Sequence, residues 1–283
     1  MSEPDYSAPF TLYYGAFSLW STMVRTTLAF RGAPLSSRPE MNLQKRVISI
    51  APSDPQHLSE EYLTKINPKG LVPALVGPPA FLPGSDSSDG TVGDPVGTLS
   101  ESAAISYFIA EWYPSLLPKE HEAEIRELMT TMRQINFAIL TFGVNIQLPG
   151  MFLKVIEKMV AQDDISAAWR ERLEAKKKNY ANAPNVFTEP ALEASSQRAS
   201  ELFATIQSLR ERYNTTGNNK EGYIFSATAP TLLDAHILCV LARVSDAGRS
   251  HLIPPPLLEW VEHFRQGEVW KEILPGNSTL PKY

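Results

Sequence analysis

The chain has 283 residues, a net charge of −5, 43% hydrophobic and 20% charged residues, which is typical of a soluble globular protein of one or two domains. Its single cysteine, Cys239, excludes an intrachain disulfide framework and a cysteine-rich metal site. The acidic balance argues against a nucleic-acid or anionic-membrane surface. A polar start and no apolar stretch near the roughly 20 residues of a membrane span predict a cytoplasmic protein without a membrane partner.

The first third of the chain mixes strand and helix patterns. Short aromatic or alternating runs predict strands, and apolar side chains repeating every three or four residues predict helices. The resulting order is β-α-β-α-β-β-α, with a strand at 10–14, a helix at 18–30, a strand at 46–50, a short helix within 55–66, a strand opened by Pro73 and a helix that opens at 99–102. A surface loop rich in Gly, Pro, Ser and Asp is expected at 77–98.

Strand patterns nearly vanish beyond a linker at 114–118. A long amphipathic helix is expected over residues 122–148, and an apolar, buried helix over 232–244. The predicted fold class is therefore α/β plus all-α. A small α/β domain occupies residues 1–113, and an all-helical domain occupies residues 119–283.

Several features of the second domain indicate structure rather than chemistry. Thr231 and Asp234 have the spacing of a capping box, and His236 and Cys239 on the apolar helix that follows are expected to be packing residues. The basic run at 176–178 is typical of a solvated helix face. The five histidines show no metal-ligand spacing, so no metal site is expected.

Three segments resemble motifs of the cytosolic glutathione transferases. Residues 67–75 (Asn-Pro-Lys-Gly-Leu-Val-Pro-Ala-Leu) match that family's Asn-Pro-x-x-x-Val-Pro-x-Leu, residues 99–105 (Leu-Ser-Glu-Ser-Ala-Ala-Ile) match its Leu-x-Glu-Ser-x-Ala-Ile, and residues 231–235 resemble the capping box of its helical domain. In this order and spacing the three make a specific signal, and the resemblance covers nearly the whole chain. Its general look is closest to divergent fungal members, some of which serve natural-product pathways.

The resemblance implies a thioredoxin-like first domain with a mixed four-stranded sheet, an all-helical second domain, a homodimer, and glutathione as cosubstrate. It also implies a cis bond between Val72 and Pro73, with the Val72 backbone paired to the cysteinyl backbone of glutathione as a strand would be. Ser102, at the start of a helix, is expected to bind a glutathione carboxylate, and Glu101 its ammonium group. His57 is expected either near the glycyl end of glutathione or as an exposed surface histidine.

Three hydroxyl groups are candidates for stabilising the glutathione thiolate. An ordinary thiol has a pKa of about 8.5, so a hydroxyl donor and a helix N-terminus are needed to lower it. Ser18 ranks first, because it lies at the expected N-cap of the first helix and matches serine-type, zeta-like members. Tyr14 matches the tyrosine-type classes and ranks second, and Ser21 matches the theta-type position and ranks third. Simple capping by Ser18 and core packing by Tyr14 are the structural alternatives.

The electrophile is expected to be small and apolar, and to bind near Phe17, Trp20 and the helix at 122–148. The predicted activity is attack of the glutathione thiolate on this electrophile, in a glutathione transferase. Two alternatives stay open: glutathione-dependent cis/trans isomerisation of a conjugated alkene, and a non-enzymatic binding or regulatory module with the same fold.

Overall fold

A computed structural model describes residues 5–82, 97–213, 222–276 and 278–280. These residues form two compact units, each assembled from three stretches of chain. The first unit comprises residues up to 21, 36–105 and 147–186, and the second comprises residues 22–35, 106–146 and from 187 onward. The domain boundary expected between 113 and 119 stays a prediction.

The first unit is built on a mixed four-stranded sheet, as predicted. Its strands are β1 (Phe10–Tyr14), β2 (Leu43–Val47), β3 (Ala74–Gly77) and β4 (Gly97–Ser100). Their spatial order is β2-β1-β3-β4, with β1 parallel to β2 and the other two pairs antiparallel. The second strand lies earlier than the predicted 46–50, because its pairing with β1 places Leu43 opposite Phe10. Apolar alternation misplaced this strand because it is largely exposed at the edge of the sheet.

Close packing fixes the centre of the sheet. Phe10 and Leu12 of β1 are fully buried. A Cβ atom at Gly77 of β3 would lie 2.3 Å from the Phe10 ring, so only glycine fits beside it. The loop predicted at 77–98 is wrong at its ends, because Gly77 pairs with Gly97, and residues 97–100, part of which was expected to open a helix, form β4. Residues 83–96 of that loop lie outside the described part of the chain.

Helices make up most of the remaining described structure. They are α1 (Leu19–Phe30), α2 (Ser102–Trp112), α3 (Glu122–Arg133), α4 (Phe137–Phe142), α5 (Leu148–Val160), α6 (Ala167–Ala181), α7 (Ala183–Val186), α8 (Glu189–Tyr213), α9 (Leu232–Asp246), α10 (Pro255–Gln266) and α11 (Glu268–Ile273). The short helix expected within 55–66 is a 3₁₀ turn at Gln56–Leu58 followed by a π turn at Tyr62–Ile66. Among the described residues, no helix combines the length and apolar character needed to cross a membrane.

The single helix predicted over 122–148 is wrong, because the chain breaks it twice. Asn136 caps α4, and its Oδ1 accepts hydrogen bonds from two N–H groups of the first turn at 3.1 and 3.2 Å. Gly143 then ends α4 with a φ of 71°, a conformation that favours glycine. Apolar spacing continues through these breaks, so it could not reveal them.

Helices α5 and α6 form a hairpin that packs within the first unit, against the turns at 56–66. One buried cluster joins the two parts: Leu58, Leu63, Phe152, Ile156 and Leu173. The Trp169 indole N–H donates a hydrogen bond of 2.8 Å to the Leu58 carbonyl. The hairpin therefore closes the hydrophobic core of the first unit, although it follows residues 106–146 of the second.

The second unit has α9 at its core, and every residue of 232–244 is buried. The capping box predicted for Thr231 and Asp234 is confirmed. His236 and Cys239 are fully buried, as expected of packing residues. Burial lowers the pKa of His236 to about 3, while Ser106 Oγ lies 2.8 Å from His236 Nε2. This helix therefore contributes stability mainly through apolar packing, while the His236 ring makes its polar contact through Nε2 and leaves Nδ1 without a partner among the described residues.

Candidate functional site

The end of β1 brings two of the predicted site residues together. A Cβ atom at Gly15 would lie 3.1 Å from Val72 Cγ2 and 3.3 Å from Ser18 Cβ. Gly15 thus leaves the space in which these two side chains converge, and a larger residue would force them away. The sheet explains this meeting, because Ala74 of β3 lies opposite Tyr13 of β1, which sets Val72 beside the residue that follows Tyr14.

The same register brings the start of α2 to this end of the sheet. Ala74 lies opposite Ser100 in the antiparallel pairing of β3 with β4. β3 begins and β4 ends at this pair, so Pro73 and Glu101, the residues just beyond it, lie at the same end of the sheet. One end of the sheet therefore collects the end of β1, the approach to β3 and the exit from β4.

Ser18 lies at the N-cap of α1, as predicted. Its N–H donates to the Gly15 carbonyl at 3.1 Å, and its Oγ accepts a hydrogen bond from the Ser21 N–H at 3.3 Å. This bond places the Ser18 oxygen at the first turn of α1, beside the N–H groups that open the helix. Ser18 is half-buried, which leaves part of it accessible to a ligand.

The two rival hydroxyl groups have different surroundings. Ser21 is fully buried, and its Oγ accepts a hydrogen bond of 3.1 Å from the Gly15 N–H. Tyr14 ends β1 half-buried, with its carbonyl accepting from Ile48 N–H at 2.7 Å. Burial argues against Ser21 as a direct contact of a ligand, while Tyr14 stays a candidate.

Phe17 and Trp20 flank Ser18 in the sequence and are apolar groups at the surface. Their exposed fractions are 41% and 36%. Phe17 precedes α1 and Trp20 is the second residue of this helix, so both lie close along the chain to the Ser18 hydroxyl group. Their assignment to the electrophile site stays a prediction.

The turn before Val72 is held from its inner side. The Val72–Pro73 bond is cis, as the resemblance implies. The Leu71 carbonyl accepts hydrogen bonds from Tyr62 Oη at 2.8 Å and from Asn67 Nδ2 at 2.9 Å. By contrast, no hydrogen bond between described residues engages the main chain of Val72. Val72 thus offers an N–H and a carbonyl for pairing with an extended ligand.

The start of α2 combines an unusual backbone with charge. Glu101 has a φ of 78°, a left-handed conformation that is uncommon for a residue other than glycine. Its Oε1 lies 3.4 Å from Lys69 Nζ, and both side chains are largely exposed. Ser102 is the first residue of the helix, as predicted. Within the described ranges, no acceptor is bonded to the N–H groups of residues 102–104, which suits an anion.

His57 is not the exposed surface histidine that was one of its two sequence interpretations. Its side chain is 5% exposed, its Nδ1 has no hydrogen-bond partner among the described residues, and its ring meets the Phe152 ring edge-on at 5.4 Å between centroids. Burial, helped by the charge of Lys176, lowers the pKa of His57 to about 4, so the ring is neutral. Its contact with a glycyl end stays a prediction, although protein atoms cover almost all of its surface.

Lys176 was missed, because the run 176–178 indicated a solvated helix face. Lys177 fits that interpretation, with its Nζ 3.7 Å from Glu157 on the exposed side of the hairpin. Lys176 does not, since it is 6% exposed and its Nζ donates to the Lys69 carbonyl at 2.9 Å and to the Gly70 carbonyl at 3.3 Å. Burial lowers its pKa to about 8. Its spacing of three residues after the buried Leu173 was the available signal.

The described residues contain no group of three or more His, Cys, Asp or Glu side chains placed to hold a metal ion. Backbone donors, an open helix start, one carboxylate and a hydroxyl group are what the site offers instead. Such a set suits a zwitterionic peptide better than an isolated cation.

Solved structures with the same fold include Ure2p and two glutathione transferases. Ure2p in complex with S-hexylglutathione is 13% identical, with a TM-score of 0.53, over 96% of this chain and 100% of that one. Glutathione transferase F7 from Populus trichocarpa is 14% identical, with a TM-score of 0.53, over 95% and 99%. A glutathione S-transferase from the Antarctic clam Laternula elliptica is 16% identical, with a TM-score of 0.51, over 94% and 92%.

At these identities the likeness concerns the fold. The chain has a thioredoxin-like part with a mixed four-stranded sheet and an all-helical part, as predicted. No protein-family model matches the chain, and no curated protein matches its sequence.

Proposed function

We propose that this chain is a glutathione transferase that binds glutathione at the end of its sheet and activates the thiol for attack on a small apolar electrophile. The observation that carries the proposal is the convergence of Ser18 and Val72 at Gly15, beside the open start of α2. The solved Ure2p structure of the same fold has S-hexylglutathione bound, which agrees with this choice of ligand.

Each part of glutathione has a matching group. The cysteinyl backbone pairs with the Val72 N–H and carbonyl, as an added strand would. The γ-glutamyl carboxylate binds the N–H groups at the start of α2 near Ser102, where the helix dipole favours a negative charge. The γ-glutamyl ammonium group pairs with Glu101 after displacing Lys69, whose side chain is exposed and free to move into water.

This placement directs the ligand's thiol towards Ser18. The Ser18 hydroxyl and the N-terminus of α1 both stabilise a thiolate, so the thiol loses its proton to water more readily. The thiolate then forms a bond from sulfur to the electrophilic carbon, with Phe17 and Trp20 as apolar contacts for the electrophile. In the same step either a leaving group departs with its electron pair, or the π bond of a conjugated alkene opens and the resulting anion takes a proton from water. Holding the two reactants together lowers the entropic part of the barrier. The resemblance to divergent fungal members makes a natural-product intermediate the expected kind of electrophile.

Substitutions at Ser18 test the catalytic assignment. Ser18→Ala would also lose the cap of α1, at about 1 kcal/mol of stability. Ser18→Asn keeps a capping oxygen but has no hydroxyl, and Ser18→Thr keeps both. We expect Ser18→Asn to lower kcat/KM about 100-fold with little change in the affinity for S-methylglutathione, which has no thiol, and Ser18→Thr to retain activity.

The same assay decides between the hydroxyl groups and between the reactions. Loss of activity in Tyr14→Phe, with Ser18→Asn unaffected, would transfer the role to Tyr14. Ser21→Ala serves as the buried control. A stable adduct that consumes one glutathione per product establishes conjugation, whereas an isomerised product without glutathione consumption establishes the isomerase that the sequence leaves open.

A further inference from the structure

A buried ammonium group lies directly beneath the turn that leads to Val72. Lys176 projects from α6 of the hairpin, and its Nζ donates to the carbonyl groups of Lys69 and Gly70. It also lies 5.2 Å from the centroid of the Tyr180 ring on the same helix. Charge-assisted hydrogen bonds of this kind are about twice as strong as neutral ones, so this contact fixes two successive peptide groups.

The turn itself has little room to adjust. Gly70 has a φ of 56°, and a Cβ atom there would lie 2.9 Å from Leu63 Cδ2 and 3.2 Å from the His57 carbonyl. The Asn67 side chain bridges the turn by accepting from Lys69 N–H at 3.0 Å and donating to the Leu71 carbonyl. With Lys176 inside, three consecutive carbonyl groups, at residues 69 to 71, accept bonds from the interior of the unit.

We propose that Lys176 is a positioning residue for glutathione: by holding the Lys69 and Gly70 carbonyl groups inward, it fixes the backbone direction in which Val72 meets the ligand. This inference rests on the proposed function. Lys176 itself does not touch the ligand, because its ammonium group lies on the inner side of the turn. Its effect reaches the ligand through Gly70, Leu71 and the main chain of Val72.

The hairpin makes this arrangement possible, and the chemistry of lysine suits it. The buried cluster around Phe152 and Leu173 anchors α6 against the 56–66 turns, so the ammonium group has a rigid base. Burial lowers the Lys176 pKa to about 8, which still leaves most molecules protonated at neutral pH. Removing the donor would leave two inward-facing carbonyl groups without their partner, and the turn would relax towards water.

Two variants on one helix form the test. Lys176→Met keeps the length and apolar stem but has no donor, while Lys177→Met removes an exposed ammonium group that pairs with Glu157. We expect Lys176→Met to raise the KM for glutathione and the dissociation constant of S-methylglutathione about tenfold, with kcat at saturating glutathione within about twofold of wild type. Lys177→Met should leave all three unchanged.

A third variant separates positioning from general loosening. Leu173→Ala opens a cavity in the same cluster but keeps Lys176 and its hydrogen bonds. If Leu173→Ala raises the KM as much as Lys176→Met does, the effect is loss of stability and the proposal is overturned. Hydrogen exchange at the Asn67 and Gly70 N–H groups should accelerate in Lys176→Met more than in Leu173→Ala.

The remaining outcomes are also decisive. Unchanged glutathione affinity in Lys176→Met overturns this inference and leaves the proposed function intact. If Lys176→Met does not fold, Lys176→Gln, which keeps one N–H donor group, is measured against the same criteria. Failure of the wild-type protein to bind S-methylglutathione overturns the proposed function and this inference with it. That failure is distinguished from failure of the inference alone because it is measured on the wild-type protein.

Discussion

Two helix starts in this chain use the same residue types in opposite ways. At α9, Asp234 accepts hydrogen bonds from Thr231 N–H at 2.8 Å, Thr231 Oγ at 2.7 Å and Ile224 N–H at 2.7 Å, and it is fully buried. At α2, the carboxylate of Glu101 is half-exposed and pairs only loosely with Lys69. Both starts carry one acidic and one hydroxyl residue, yet only the first is closed by them.

This difference indicates that the start of α9 contributes to the stability of the fold, whereas the start of α2 is available to bind a ligand. A closed start satisfies its own N–H groups, and its free energy goes into the stability of the unit. An open start leaves that stabilisation to whatever anion binds its N–H groups, while the half-exposed Glu101 carboxylate beside it pairs with a cation. Substitutions should therefore act on stability at α9 and on affinity at α2.

The largest effect is expected at the closed start. Asp234→Ala should lower the free energy of unfolding by about 4 kcal/mol, because three buried donors lose their acceptor. Urea unfolding followed by circular dichroism measures it, and Asp234→Asn, which keeps one acceptor oxygen, should lose less. Glutathione affinity of the folded fraction should not change. A loss below about 1 kcal/mol would show that this start is not the stabilising element.

At the open start the pattern should reverse. Glu101→Gln should weaken the binding of S-methylglutathione about 10- to 30-fold, because a charge-assisted hydrogen bond becomes a neutral one. Its free energy of unfolding should stay within about 0.5 kcal/mol of wild type. Glu60→Gln, an exposed glutamate of the same unit, is the matched control for titration calorimetry. Equal affinities for Glu101→Gln and Glu60→Gln would remove Glu101 from the site.

The helix behind the closed start should make stability depend on pH. The pKa of His236 is lowered by burial to about 3, below its ordinary value of 6.5, so only the unfolded chain takes up a proton between those values. Stability from this group is complete above pH 6.5 and falls by about 1.4 kcal/mol for each pH unit below it. We measure the free energy of unfolding at pH 6.5 and 5.0 in wild type and in His236→Gln. The loss per pH unit should be smaller by this amount in His236→Gln. Equal slopes would mean that His236 is protonated in the folded protein.

The smallest effect concerns the ion pair at the open start. Lys69→Gln should raise the affinity for S-methylglutathione about twofold, because the ligand's ammonium group no longer displaces a resident one. The Lys69 carbonyl still accepts from Lys176, so the turn is unaffected. Calorimetry at low salt gives the clearest difference, and 1 M salt should remove it. A fall in affinity would show that Lys69 assists the ligand.

Local patterns were sufficient for the closed start and for the two central strands of the sheet, but not for the bounds of its two edge strands. The spacing of Thr231 and Asp234 before an apolar run predicts a capping box, because both partners lie within one turn. The strand at 10–14 and the helix start at Ser102 follow from equally local signals. The cis bond before Pro73 came only from the resemblance, since the residues themselves favour neither isomer.

Features that depend on distant partners could not be predicted in this way. An apolar stripe at 148–160 shows that one face is buried but not what covers it, so the packing of the hairpin on Leu58 and Leu63 was out of reach. For the same reason three consecutive lysines looked alike, although Lys176 has its acceptors more than one hundred residues away at Lys69 and Gly70.

The interleaving of the two units has a consequence for synthesis on the ribosome. A nascent chain that has released only its first 146 residues lacks the hairpin, so Leu58 and Leu63 have nothing to cover them. The sheet unit cannot reach its finished packing until residue 186 has left the exit tunnel, well after the opening stretches of the other unit have appeared. Maturation of the candidate site is thereby delayed until the hairpin of α5 and α6 has been synthesised.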